Sequence, residues 1–224
     1  MTAGAKRRGS AERVVQILRE EIIRGNLRPS VRLSEESLGS SLGVARNTLR
    51  EAFRILSKER LVVHVLNRGV FVRELTVDDI ADLYRLRRAI ELEAMSALAE
   101  RSPEDPVDLS GLQAILARAD VANLERDWPT VGTADLEFHA GLVGLAGSGR
   151  LSDVMVGLLA ELRLAFRMAA NVDELHSRYL MRNKMLLKML EDRDLRGATT
   201  ALRTYLADSQ TDILRAYQQP SAGN

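Results

Sequence analysis

The 224-residue chain has no cysteine, which excludes disulfides, thiolate metal sites and a cysteine nucleophile together. A reducing cytoplasm suits that usage and is the expected location. Aromatic residues are scarce, at 4%, so any core must be built mostly from Leu, Val, Ala and Ile. No apolar run approaches the ~20 residues that a membrane-spanning helix needs, so no membrane is expected as a partner. The N-terminal MTAGAKRRGS has basic residues but no apolar stretch behind them. It is therefore not a secretory signal, and residues 1–10 are expected to be a flexible basic tail. Familiar enzyme motifs are missing too: there is no glycine-rich phosphate loop, nucleophile elbow or HExxH.

What is present is an ordinary 46% of apolar residues, enough for a real core, in a chain long enough for two modest domains. The net charge of +1 hides an asymmetry. From Met1 to Arg73 there are 15 Lys and Arg against 7 Asp and Glu, a net of +8; the remainder carries 17 against 24, a net of −7. The first segment is a candidate for binding a polyanion and the second is not.

In the basic segment, Val14, Ile17, Leu18 and Ile22 form a helical stripe, so residues 11–24 read as an amphipathic helix stopped at Gly25-Asn26. Arg28-Pro29-Ser30 is a turn. Ser34 can cap a second helix with Glu35 and Glu36 in its first turn. Gly43 breaks that helix, and a third runs from Arg46 to Lys58, burying Leu49, Ala52, Phe53 and Leu56. Two short helices joined by a tight glycine turn make a helix-turn-helix. The runs Leu61–Val65 and Val70–Arg73, around Asn67-Arg68-Gly69, then read as a hairpin, or wing. A recognition helix enters the major groove by its N-terminal end, so Arg46, Asn47, Thr48 and Arg50 are the side chains that reach bases or phosphates. Asn67, Arg68 and Gly69 at the wing tip are placed for the neighbouring minor groove or a phosphate.

The stretches "IIRGNLRPSVRLSEESLGSSLGVARNTLREAFRILSKERLV" and "NRGVFV" resemble the winged helix-turn-helix of the GntR transcription regulators in order and spacing. Three residues depart from that pattern. Ser30 and Arg60 stand where glycines are usual, and Ala45 stands where Ser or Thr precedes the arginine. Ala45 cannot cap the helix, at a cost of about 1 kcal/mol.

After Glu74 nothing alternates like a strand. Thr76 can cap a helix carrying Ile80, Leu83, Leu86, Ile90 and Ala94 on one stripe. Six helices are expected, over 76–101, 108–125, 129–146, 149–170, 173–192 and 194–217. Their short connections imply an antiparallel bundle. The fold class is therefore mainly α: a winged helix-turn-helix at 11–74, a helical domain at 75–217, to which the resemblance named below adds effector binding and dimerisation, and a flexible tail at 218–224.

Asp135 and His139 lie at i and i+4 on one helix face. That spacing suits a divalent metal (Zn²⁺, Ni²⁺ or Mn²⁺) and equally suits an Asp–His hydrogen bond. Arg87, Arg163 and Arg167 are further polar candidates for a cavity, though Arg87 can equally pair with Glu91 four residues on. His176 reads as a helix-start histidine, Trp128 as a core or interface residue, and the stripe Met181, Met185, Met189 as packing.

The pattern Leu83–Glu91 followed by Asp135-Leu-Glu-Phe-His139 resembles the FCD effector domain of the FadR subgroup. That resemblance implies a homodimer, a small-molecule cavity often holding a metal, and a carboxylate effector. The family's usual metal set is Asp, a His four residues later, and two more histidines. Anchoring the later pattern on Asp194 and Ala198–Leu202 puts Asn183 and Tyr205 at the last two positions. No tightly bound metal is expected of such a set, with Asp135 and His139 the ligands of any that binds. Arg87, Asp135, His139, Arg163, Asn183 and Tyr205 are then the effector-site candidates. The functional expectation is a regulator, and a repressor, that binds a short palindromic operator in double-stranded DNA under control of a metabolite. The alternatives are a DNA-binding regulator with no effector or with a metal as its signal, and after these a metal-dependent enzyme.

Overall fold

A computed structural model of the chain describes residues 3–24, 26–102, 104–168 and 172–218. It divides into two compact units, Met1–Leu75 and Thr76–Asn224. Gly25, Pro103 and Asn171, expected at helix breaks, lie outside the described residues, as do the Arg167 side chain and residues 219–224 of the expected tail.

The first unit runs α1 (Ala3–Arg24), β1 (Arg32–Leu33), α2 (Glu35–Leu42), α3 (Arg46–Lys58), β2 (Val62–Val65) and β3 (Gly69–Val72). Helix α1 begins at Ala3, not at Ala11, so the expected basic tail is helical almost from its start. Ala3, Ala5, Lys6, Arg7 and Arg8 are good helix formers. They extend a helix whose nucleation is already secured by burying Ala11, Val14, Val15, Leu18 and Ile22. These side chains share a core with Leu49, Ala52, Phe53, Leu56, Leu61, Val70 and Val72. The wing hairpin is joined by a third strand that periodicity did not indicate. Strand β1 pairs antiparallel with β3, giving the order β1-β3-β2. Two residues are too few to show an alternation.

Both positions where the sequence departs from an expected glycine adopt the left-handed conformation, Ser30 with φ 63° and Arg60 with φ 56°. A side chain there crowds the following carbonyl. Arg60 closes α3, its amide reaching Ser57 O at 3.1 Å and the next amide reaching Leu56 O at 3.0 Å, a closure glycine makes without strain. Arg60→Gly is expected to stabilise the unit by about 0.5–1 kcal/mol, the relief of strain less glycine's added unfolded-state entropy. A thermal melt should show a rise of a few degrees; an unchanged or lower midpoint would mean that Arg60 is unstrained.

The second unit has six described helices: α4 (Val77–Ala99), α5 (Ser110–Leu124), α6 (Trp128–Gly144), α7 (Gly149–Met168), α8 (Val172–Glu191) and α9 (Leu195–Gln218). A full capping box starts α4, with Thr76 Oγ1 accepting from Asp79 N and the Asp79 carboxylate accepting from Thr76 N. Asp127 caps α6, with Pro129 in its first turn. Helix α6 lies at the centre, packed by α4, α5, α7 and α8, while α9 closes on α4 and α8. The core is built from Leu and Ala with Phe138, Tyr179 and Tyr205. Of the methionine stripe read as packing, Met189 is partly buried against the core, but Met181 and Met185 are 59% and 58% exposed on this chain. Periodicity of 3.6 places residues on one face without saying which face is covered.

Candidate functional site

Each unit carries one concentration of functional side chains. In the first, Ser34 Oγ accepts from Ser37 N at 3.2 Å and starts α2. Gly43, at φ 63°, turns the chain toward α3. Burial of Leu49, Ala52, Phe53 and Leu56 fixes the rotation of α3. That rotation leaves Arg46, Asn47 and Arg50 exposed and Thr48 half-buried. Ala45 makes no side-chain cap. Arg50 donates through Nε to both Glu35 oxygens, at 3.0 and 3.1 Å, leaving its two Nη groups available. The hydrogen bond and charge of Glu35 raise the Arg50 pKa.

At the wing tip, Asn67 (φ 59°) and Gly69 (φ 107°) make the left-handed turn, and Arg68 N reaches Val65 O at 3.0 Å. The Arg68 guanidinium carbon stands 5.7 Å from the centre of the Phe71 ring. Arg32 of β1 crosses so near Gly69 that a Cβ there would meet its Nε at 3.3 Å. Three features of this surface escaped the sequence reading: the Glu35 brace, Arg32, and Leu66, which is 87% exposed at the tip. Glu35 was legible only as a first-turn acid.

In the second unit, Arg87, Glu91, His139 and Asn183 are fully buried and Asp135 nearly so. Arg87 Nε donates to Glu91 Oε1 at 2.6 Å, and His139 Nδ1 bonds Glu91 Oε2 at 2.7 Å. Asn183 Nδ2 and Tyr205 OH both donate to Asp135 Oδ1, at 2.8 and 2.6 Å. The Tyr205 ring lies edge-on to His139, centres 4.8 Å apart, and 6.0 Å from the Arg87 guanidinium carbon. Burial alone would discourage ionisation of Glu91 and Asp135, but His139, Arg87 and the donated hydrogen bonds outweigh it and hold both carboxyls below their usual range. Burial likewise opposes the Arg87 charge, and Glu91 overrides it. Burial and the Asp135 charge push the Tyr205 phenol well above its usual value, so it stays protonated.

Four buried polar atoms of this cluster have no partner: Arg87 Nη1 and Nη2, His139 Nε2 and Asn183 Oδ1. Arg163, half-buried on α7, donates to Thr133 Oγ1 at 3.2 Å, which places it beside Thr133. Glu91 is the member that the sequence reading left as a simple helix partner. Its i,i+4 spacing from Arg87 was visible, but its bond to His139, 48 residues on, was not. His176 is buried edge-on to Phe166 and lies over Gly132, where a Cβ would come within 2.6 Å of its ring.

The cluster does not fit a divalent metal. Asp135 Oδ1 already takes two donors, Tyr205 is held as a phenol, and a neutral amide oxygen is a weak ligand for Zn²⁺ or Ni²⁺. Among the described residues, no three His, Cys, Asp or Glu side chains are arranged so that they could hold a metal ion.

The bacterial regulatory proteins, gntR family, match residues 10–72, and the FCD domain matches residues 82–208. A solved structure described as a GntR transcriptional regulator from Rhodococcus sp. RHA1 is 41% identical, covering 93% of this chain and 99% of its own, with a TM-score of 0.87. An HTH-type transcriptional regulator in an unstable DNA locus of Streptomyces ambofaciens is 29% identical over 198 residues, 88% of this chain and 82% of the relative. The HTH-type transcriptional repressor GlaR of Escherichia coli K12 is 25% identical over 226 residues, 92% and 95% of the two chains.

Proposed function

Since the chain belongs to the gntR family of bacterial regulatory proteins and carries an FCD domain, it is a DNA-binding transcription regulator and not an enzyme, and we propose that it is a repressor released or engaged by a small carboxylate. Arg46, Asn47, Thr48 and Arg50 read the major groove of a short palindrome, and Asn67, Arg68 and Gly69 follow it with the wing. The protein works in the cytoplasm as a homodimer, because a palindrome is matched by a two-fold protein. GlaR carries the word repressor in its description, which supports that sign of regulation.

One observation carries the effector reading: a fully buried arginine whose two Nη groups have no partner. A buried donor left unpaired costs about 1–3 kcal/mol, more when charged. An anion with two oxygens, the natural complement of a guanidinium fork, removes that cost. Arg87 and Glu91 lie on α4, which begins directly after the wing in the chain. Occupation of the cluster thereby biases the helix that leads out of the DNA-reading unit, and operator affinity follows the two-state shift.

The test is a gel-shift titration of the purified protein on genomic fragments that it selects, repeated with small carboxylates, beside light scattering. A dimer whose operator affinity moves at least about fivefold with one carboxylate is expected. A monomer, or an affinity indifferent to every carboxylate, would refute the reading.

A further inference from the structure

We propose that Leu66, at the tip of the wing, selects A·T pairs in the minor groove of the operator by shutting out the 2-amino group of guanine. The inference rests on the reading of the wing given above and goes on to the sequence that the wing selects.

The tip is held out from the sheet. Val65 and Gly69 form the last pair of the hairpin, and Arg68 N closes the turn on Val65 O at 3.0 Å. The neighbouring Val62, Val70 and Val72 are buried, whereas Leu66 is 87% exposed, more than any other large apolar side chain among the described residues. Turns favour Gly, Asn, Asp, Ser and Pro, and a leucine at the apex adds nothing to this core. Asn67 is accounted for by its left-handed φ of 59°. Leu66 has no such local reason. Two exposed cations share the tip: Arg68, two residues on, and Arg32, whose Nε lies 3.3 Å from where a Cβ on Gly69 would stand.

The minor groove is about 6 Å wide, and A·T pairs of either sense present only acceptors on its floor. A G·C pair adds the N2 amino donor. A leucine side chain has no polar atom to meet either. Laid on the floor, it takes water from the acceptors of both pairs alike, so that loss does not discriminate. Over a G·C pair it also buries a donor unmet, and the amino group stands in the space that the side chain needs. Asn67 both donates and accepts and so serves either pair. The arginines favour the same sequence for a separate reason. Runs of A·T narrow the groove, deepen its negative potential and attract guanidinium groups.

The experiment is a gel-shift titration of the full chain on an operator fragment that it selects from genomic DNA, with minor-groove protection mapped by hydroxyl-radical cleavage. The protected pairs beside the recognition-helix contacts should be A·T. Changing one of them to G·C should weaken binding about fivefold or more, the value of a mismatched pair. Changing it to inosine·C, which lacks only the 2-amino group, should recover most of the affinity, although its major-groove edge is still that of G·C. In Leu66→Ala the three fragments should bind alike, with the fold unchanged because the side chain is exposed. Arg68→Ala should instead weaken all three and flatten the salt dependence. Inosine binding as weakly as guanine, or a G·C penalty undiminished in Leu66→Ala, would overturn the Leu66 assignment and leave the wing reading standing. No protected minor-groove position, with Arg68→Ala binding like the parent, would overturn both.

Discussion

Replacing Arg46 and Arg50 together by alanine is expected to lower specific operator affinity by about a hundredfold to ten-thousandfold, each arginine accounting for about ten- to a hundredfold. Both side chains are exposed at the N-terminal end of α3, and the four buried residues that anchor the helix are untouched. The melting temperature should therefore stay close to that of the parent. The two arginines are not equivalent. Arg50 is braced by Glu35 through Nε alone, so its planar Nη edge is presented in one direction. Glu35→Gln keeps a hydrogen-bonding partner but removes the charge, and should weaken binding less than Arg50→Ala while relaxing discrimination between operator variants. Gel shifts at two salt concentrations separate the effects, because losing a phosphate contact flattens the salt dependence and losing a base contact does not. Wild-type binding by the double variant would remove α3 from the DNA-reading surface.

Arg87→Met is expected to have the largest effect on the second unit, a loss of about 3–5 kcal/mol, because removing one partner of a buried pair strands the other charge. Glu91 would keep only its bond to His139, with no fixed cation to hold it ionised in the interior. Arg87→Met combined with Glu91→Leu should recover much of that loss, since two apolar groups leave no uncompensated charge. Calorimetric melting of the three proteins is the measurement. Neither variant should respond to carboxylates, and in the double variant that loss cannot be blamed on instability. If Arg87→Met melts with the parent, the guanidinium is not the buried partner of Glu91.

Much of this architecture could be read from the residues. The glycine turn at Gly43, the buried stripe of α3 and the six helices of the second unit follow from periodicity and breakers, which are local signals. The convergence of Asp135, His139, Asn183 and Tyr205 was readable only through the spacing of a resemblance, because three separate helices bring them together. What stayed hidden were contacts between distant segments and elements too short to show a period. Glu91 meets His139 across 48 residues and Glu35 meets Arg50 across 15, and nothing in either sequence neighbourhood announces the partner. Strand β1 exists only because β3 offers it an edge. Arg163 was chosen for its charge alone, and its hydrogen bond to Thr133, 30 residues away, could not be read from that.

Helix α3 opens on Ala45 with no side chain closing its first amides. Thr48 N turns back to Ala45 O at 2.9 Å, which leaves the amides of Arg46 and Asn47, at the positive end of the helix dipole, as the ones an outside acceptor would close. A DNA phosphate is such an acceptor. On the proposed reading, the operator would do for α3 what a serine does for α2, and would become the missing piece of the helix it is read by. Folding and occupancy are thereby coupled by mass action: a head on its operator is a more durable object than a head in solution, and a regulator that lets go also loosens.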